Sequence, residues 1–342
     1  MNVTFLIGNG FDLACGMKSS YADIYKAYVA AHQTVPLDRN LIDFPMFLKE
    51  LPTWGDFEME LAKNAHRFSS AEALITCLFN FQEFMNSYLC NEESRCKQRI
   101  FSSAEYRRAI CKEFQLSLLH FYKFSSENAT DAVYNLLARS RHKDAHYQFI
   151  TFNYTSIFSF ILDDVSKLYP GTSGNGRLFS PPIHIHGTLN EDLTLGADNL
   201  AQYGALPFTL EPEDIACLVK PKFNELYDKS RVSSAEEAIQ SSDVICVYGA
   251  SLGDSDLTWR NQVLDWLKES TTRQLFFYDY DCSQCKSPVA AVRIRNEALA
   301  QKMLINKWNI AKDFPIDRFH IPFGANIFNF KEKCPQPIPY LH

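Results

Sequence analysis

Three segments of the chain share one pattern, in which a continuous apolar run is followed by a small or polar turn and then by a helical pattern. They are VTFLIGNGFD (3–12), YQFITFNYTS (147–156) and DVICVYGASLGDSD (243–256). Fully buried parallel strands have continuous apolar runs rather than alternating ones, and helical crossovers join them. RQLFFYDYD (273–281) has the same character and follows the helix indicated by DLTWRNQVLDWLKES (256–270). The pattern predicts an α/β fold with a doubly wound, mostly parallel, Rossmann-like sheet.

The first two of these strands are separated by roughly 130 residues, far more than a crossover between parallel strands requires. The intervening residues 36–142 are rich in aromatic side chains and helical in period. We therefore predict a discontinuous Rossmann-like domain, 1–35 and 143–342, that carries 36–142 as a large helical insertion. A second interruption at 197–240 contains prolines and a short helix, which makes it a candidate cap over the sheet edge. PGTSGNG (170–176) is predicted to be a loop.

Composition indicates a globular chain, because 46% of the 342 residues are hydrophobic and 14% are aromatic. The net charge is −6 and no run of five like charges occurs, which disfavours a nucleic-acid partner. The N-terminus lacks the basic region of a secretory signal, and no segment approaches the about 18 apolar residues of a membrane span. We expect a soluble, cytoplasmic protein without a membrane partner.

The ten cysteines are scattered along the chain, and several lie in apolar surroundings, as free thiols do in a reducing compartment. The one C-x-x-C unit, formed by Cys282 and Cys285, has no second pair at a spacing typical of structural zinc sites. The sequence therefore predicts no metal.

The glycines after the first strand have two interpretations. Gly8 and Gly10 lie where backbone amides of a Rossmann-like fold approach a phosphate, but Leu13 replaces the third small residue of the dinucleotide motif. The spacing is equally typical of a tight turn. Asp12 would repel a phosphate, so it fits a ribose hydroxyl, a carboxamide or a helix N-terminus better.

Polar residues also follow the later strands. Asn153 is either a turn residue or an amide that orients a water or a sugar hydroxyl. In PPIHIHGTL (181–189), His184 and His186 are predicted on one face of a short strand; no acidic partner nearby completes a metal site, and His186, which precedes a glycine, suits general-base work. A satisfied, half-buried histidine is the alternative.

The segment after the VICVY run contains glycines and a serine that are able to meet a ribose or a phosphate, whereas Asp256 could simply cap the following helix. Its GASLG part superficially resembles a nucleophile elbow with Ser251 at the centre. An esterase is disfavoured because only His320 and His342 follow that serine.

Taken together, LIGNGFDLACGMKSSYADIY, FITFNYTS, IHIHGTL and VYGASLGDSD resemble, in this order, the AbiH family of bacteriophage abortive-infection proteins, and TWGDFEMELA (53–62) is similar to a further element of that family. The family is in turn distantly similar to the sirtuin-like NAD-consuming domains of phage defence. Two departures are visible: Thr155 occupies the position where the sirtuin-like pattern usually has Asp, and the paired C-x-x-C zinc module is absent, which makes protein deacetylation doubtful. The resemblance implies Asn153 and His186 as catalytic residues, and as NAD-binding residues Gly8, Asn9, Gly10, Phe11, Asp12, Gly249, Ser251, Leu252 and Asp254.

The function implied by this resemblance is antiphage defence through hydrolysis of NAD, the substrate, to nicotinamide and ADP-ribose. Asn153 would orient the ribose and a water, and His186 would accept a proton. The expected partners are NAD or a related nucleotide, a phage-derived trigger and a second copy of the chain, with the insertion and the cap as candidates for sensing or self-association. Two alternatives stay open: a nucleotide-binding sensor without turnover, and a hydrolase of another nucleoside or nucleotide.

Overall fold

The computed structural model describes residues 1–32, 57–125, 127–139, 145–168, 179–189, 191–278 and 288–330. In this part of the chain, six strands form one parallel sheet in the order β3-β2-β1-β4-β5-β6, which confirms the predicted Rossmann-like α/β fold. Strand order reverses between β1 and β4, the place where open sheets of this kind bind ligands. The strands are β1 (Asn2–Ile7), β2 (His146–Thr151), β3 (Ile183–His184), β4 (Val244–Tyr248), β5 (Gln274–Tyr278) and β6 (Phe319–His320).

The four apolar runs predicted to be buried strands form β1, β2, β4 and β5, at the centre of the sheet. Their buried side chains alternate between the two faces of the sheet. Phe5, Phe149 and Phe276 lie on one face of the sheet, and Leu6 and Ile245 lie on the other. Because both faces are covered, most positions of these strands are apolar.

Twelve α-helices are found in the described residues. They are α1 (Gly10–Ala14), α2 (Tyr21–His32), α3 (Phe57–Asn64), α4 (Ala71–Ile100), α5 (Ala104–Leu119), α6 (Glu127–Arg139), α7 (Ile157–Leu168), α8 (Pro212–Leu218), α9 (Lys220–Tyr227), α10 (Lys229–Gln240), α11 (Leu257–Lys268) and α12 (Ala290–Lys307).

The described residues of the predicted insertion, 36–142, form α3 to α6, and these helices divide between two cores. Phe114 on α5 and Val133 on α6 pack with Phe5 against the sheet. Residues of α2, α3 and α4 instead form a second core away from the sheet, together with Leu195, Tyr203, Leu218 and Val219 from the predicted cap and the residues just before it. The first part of the insertion and the cap therefore pack as one body.

The last helix of the predicted cap, α10, contributes to the sheet rather than to this second core. It buries Ala235, Ala238 and Ile239 in the cluster that contains Leu6 and Ile150. The predicted loop at 170–176, the cysteines Cys282 and Cys285, and residues 53–56 of TWGDFEMELA lie outside the described residues.

Candidate active site at the carboxyl edge of the sheet

The last residues of four neighbouring strands are in register. Ile7 pairs with Thr151 and with Tyr248, and Thr151 pairs with His184. Each chain then leaves the sheet at the same edge, so the loops that carry the predicted site residues emerge side by side. Strand β3 ends at His184, so His186 lies just beyond it and the predicted strand is shorter than expected.

The loops after β1 and β4 touch through their backbones. The amide of Gly8 donates to the carbonyl of Tyr248 (2.9 Å), and the amide of Gly10 donates to that of Gly249 (3.0 Å). A Cβ on Gly10 would lie 2.5 Å from the Cα of Gly249, which itself has a φ of +67°. Glycine is required here because only a residue without a side chain permits this approach and this backbone conformation. In this conformation the two amides already have partners within the protein.

Other predicted nucleotide contacts hold the loops in shape. Both polar atoms of the Asn9 side chain bind Ser19, at 3.0 Å and 2.5 Å. Phe11 is fully buried and packs edge-on against four other phenylalanine rings. Leu252 is also buried, whereas Ser251 and Asp254 are exposed at the same edge. Of these residues, Ser251 and Asp254 are the most exposed to solvent, and Asn9 is half-buried.

Asp12 is buried against the loop that follows β2. It accepts hydrogen bonds from the hydroxyl of Thr155 (2.6 Å) and from the amide Nδ2 of Asn153 (3.2 Å). Burial raises the pKa of Asp12 to about 7, and the nearby charge of Glu93 acts in the same direction. Thr155, at the position where the sirtuin-like pattern usually has Asp, thus contacts the carboxyl group of Asp12.

The orientation of the Asn153 amide follows from these contacts. Its Nδ2 faces the carboxyl group of Asp12, so its Oδ1 points away from it. This Oδ1 is buried and has no hydrogen-bond partner among the residues that the structure describes. His184 supports the same loop, because its Nδ1 lies 3.2 Å from the carbonyl oxygen of Asn153 and its Nε2 lies 2.9 Å from the hydroxyl of Ser159.

The side chain of His186 contacts the carboxylate of Asp256 and not the neighbouring imidazole of His184. Its Nε2 lies 3.0 Å from Oδ1 of Asp256, and a carboxylate only accepts, so Nε2 carries the proton and Nδ1 keeps a free electron pair. That Nδ1 is buried and without a hydrogen-bond partner in the described part of the chain. Burial lowers the pKa of His186, and the charge of Lys220 lowers it further. The imidazole is therefore a neutral base.

Behind this histidine lies a chain of buried charges. The Nζ of Lys220, on α9, donates to Oδ1 of Asp256 (2.9 Å) and to Oε2 of Glu58 on α3 (3.0 Å). Burial by itself would raise the pKa of Asp256, but Lys220 and His186 outweigh it and hold that pKa well below its usual value. Burial raises the pKa of Glu58 to about 7, although Lys220 opposes the rise.

The sequence did not assign Asp256, Glu58 or Lys220 to the site. Asp256 precedes α11, as the capping interpretation required, but its side chain makes no capping bond; Asp198 takes that role and accepts from the amide and the hydroxyl of Thr258, both at 3.0 Å. Glu58 lies within TWGDFEMELA, which resembled a family element. The only local sign for Lys220 is the apolar CLV that precedes it.

The described residues contain neither a cluster of metal-ligating side chains nor a helix that could span a membrane. No group of three or more histidine, cysteine or acidic side chains there could hold a metal ion. None of the helices in the same ranges combines the length and the apolar character needed to cross a membrane.

Comparison with known proteins gives one match. The family model described as "Bacteriophage abortive infection AbiH" matches residues 4–278, which include Asp12, Asn153, His186 and the buried charges behind them. No curated protein and no solved structure matches the chain significantly.

Proposed function

The chain belongs to the AbiH family of bacteriophage abortive-infection proteins, which supports a role in antiphage defence, and from this premise we propose that it hydrolyses NAD to nicotinamide and ADP-ribose. The observation that carries the proposal is the His186–Asp256 pair, with an Nε2–Oδ1 distance of 3.0 Å and a free Nδ1 on the histidine. A neutral imidazole held by a carboxylate is the arrangement of a general base. Asn153, whose Oδ1 also lacks a hydrogen-bond partner in the described residues, lies just after the adjacent strand β2.

The chemistry needs a base and an oriented acceptor. The bond between the ribose C1′ and the nicotinamide nitrogen breaks, and its electron pair goes to the nicotinamide. A water oxygen bonds to C1′ and gives one proton to Nδ1 of His186, whose positive charge Asp256 then stabilises. Asn153 Oδ1 orients the water or a ribose hydroxyl by accepting a hydrogen bond.

The burial of this site supports an enzyme that is inactive before infection. Asn153 and His186 are each only 5% exposed, and Asp12 is 2% exposed. A substrate needs access to the two unpartnered atoms, so the cap or the adjacent loops must move first. In this proposal a phage-derived trigger, or association of two copies, produces that movement.

One observation favours a second substrate class. The amides of Gly8 and Gly10 donate to carbonyls of the chain, so in this conformation neither is free to bind a phosphate. A nucleoside has the same kind of N-glycosidic bond but no diphosphate, so its binding does not require those amides as phosphate donors. The second candidate is therefore a hydrolase of another nucleoside or nucleotide.

The test is to incubate the purified protein with NAD, with and without phage lysate, and to separate nicotinamide and ADP-ribose by chromatography. We expect His186→Ala to lower the rate about 10²–10⁴-fold, the usual contribution of a general base, and Asn153→Ala to lower it through the loss of orientation. His66→Ala and Asn80→Ala, which change exposed residues of the same types, serve as controls, and thermal unfolding checks the fold.

Unchanged turnover in both active-site variants would contradict the assignment. If the protein cleaves a member of a panel of nucleosides but does not cleave NAD, the result would support the second candidate. Binding of NAD without any product, in the presence of lysate, would indicate a sensor.

A further inference from the structure

Two helices outside the sheet reach the candidate base through buried charges. Lys220 on α9 is 3% exposed and lies between two carboxyl groups, that of Glu58 on α3 and that of Asp256 before α11. Helix α3 and the residues that directly precede α9 belong to the second core, which the insertion and the cap share. The base therefore depends on a body that is separate from the sheet.

Stability of the fold does not explain these three residues. Burying ions costs several kcal/mol per ion in desolvation, and well-packed apolar side chains of similar volume often stabilise a protein as well or better. Nearby positions of the same body, such as Leu218 and Val219, are apolar. The same oxygen, Oδ1 of Asp256, contacts both Lys220 and His186, so the buried charges lie directly against the candidate base.

We propose that Lys220 and Glu58 are positioning residues for His186, because Lys220 keeps Asp256 an ionised acceptor for the Nε2 proton and Glu58 holds Lys220 in place. The inference rests on the proposed function only for what His186 does with its free Nδ1. It makes the insertion and the cap parts of the active site, because the sheet and its loops alone supply Asp256 but neither Lys220 nor Glu58.

The electrostatic consequence has a definite sign. Four ionisable groups act on His186: Asp256, Lys220, Asp198 and, through Lys220, Glu58. Without the ammonium group, the imidazolium loses a repulsive neighbour and gains sole use of the Asp256 carboxylate. Both changes favour the protonated histidine, so the pKa of His186 must rise when Lys220 is removed.

The experiment is nitrogen NMR of the full chain with ¹⁵N-labelled histidine, titrated with acid and base, with His186 assigned by the signal lost in His186→Gln. In the wild type we expect the Nε2–H tautomer and a pKa below 6.5. In Lys220→Met we expect that pKa to rise by about one to three units. Lys222→Met, on the same helix but 54% exposed, should leave both unchanged.

A second variant guards against misfolding. Lys220→Met leaves the carboxyl groups of Glu58 and Asp256 without their cation, whereas Lys220→Met with Glu58→Gln removes the cation together with one of these carboxyl groups. Above about pH 7, where Glu58 is ionised, the double variant keeps the net charge of the cluster, which favours folding. We expect the same rise in the pKa of His186.

An unchanged pKa and tautomer of His186 in the double variant would overturn the inference, as would an Nδ1–H tautomer in the wild type. The measurement needs no substrate. If the wild type hydrolyses no NAD while the pKa of His186 rises as expected, the proposed function fails and the positioning role stands. If NAD is hydrolysed, the acid limb of its pH profile should move to higher pH in the double variant and stay in place in Lys222→Met.

Discussion

Replacing Asp12 by asparagine should change how the stability of the protein depends on pH. The Asp12 carboxyl group is buried, with Thr155 and Asn153 as donors and Glu93 as a nearby like charge, and its pKa rises from 3.8 to about 7. The folded protein therefore binds this proton more tightly than the unfolded chain does. Its stabilising effect is complete below about pH 4 and is lost as the pH rises to about 7.

The size of the effect follows from the same two pKa values. A rise from 3.8 to about 7 corresponds to roughly 4 kcal/mol at pH 8, at 1.36 kcal/mol for each pH unit. This is an upper bound, because the surroundings relax around an ionised carboxylate. The introduced asparagine cannot ionise, its oxygen still accepts from Asn153, and its amide can donate to the hydroxyl of Thr155. The variant should therefore gain stability relative to the wild type as the pH rises.

Urea unfolding of both proteins between pH 5 and pH 8 measures this difference. The free energy of unfolding of Asp12→Asn, minus that of the wild type, should increase over this range by a few kcal/mol, and most of the increase should come below pH 7. Asp163→Asn, which changes a carboxylate that is 63% exposed, is the control. A difference that is the same at pH 5 and pH 8 would refute the reasoning, because the carboxyl group would then be ionised throughout.

Two further predictions concern the loops. Asp256→Asn replaces the carboxylate by an amide that can either accept from Nε2–H of His186 or donate to Nε2. The loss of a charged hydrogen bond worth about 1.5–3 kcal/mol should slow NAD hydrolysis roughly 10–150-fold. The control Asp265→Asn changes an exposed carboxylate and should leave the rate unchanged. Gly249→Ala adds a Cβ 2.6 Å from the Cα of Gly10, so it should lower the thermal midpoint of unfolding more than Gly204→Ala does. The Cβ of Gly204→Ala meets nothing within 4 Å, so this control costs only the about 1–3 kcal/mol of its strained backbone. Equal decreases in the two variants would show that the loop contact is not the cause.

The central strands could be predicted from sequence because a strand buried on both faces is apolar at most positions. The short edge strand Phe319–His320 has no such run, so it was not predicted. The positions of Asn153 and His186 at the sheet edge followed from the strands before them. The bond between Asn153 and Asp12 did not, because it joins residues 141 positions apart.

The remaining site residues illustrate two different limits of sequence reasoning. Glycines in GNG fit a ligand loop and a close contact between two loops equally well; the approach of Gly10 to Gly249 establishes the contact, and the ligand loop stays a prediction. Glu58 and Lys220 lie on helices whose partners are set by the second core, so no local pattern pairs them. Asp256 was noticed at the start of its helix, but its real partners come from the loop after β3 and from α9.

The central position of β1 has a consequence for the synthesis of the protein. This strand is translated first, yet its two neighbours begin at residues 146 and 244. At bacterial or eukaryotic translation rates, roughly 12–50 s separate the synthesis of β1 from that of β4. Truncated chains that end before β4 have neither a fully paired β1 nor Asp256. A ribosome that stops early therefore releases a product without the His186–Asp256 pair, and so without the base of the proposed reaction.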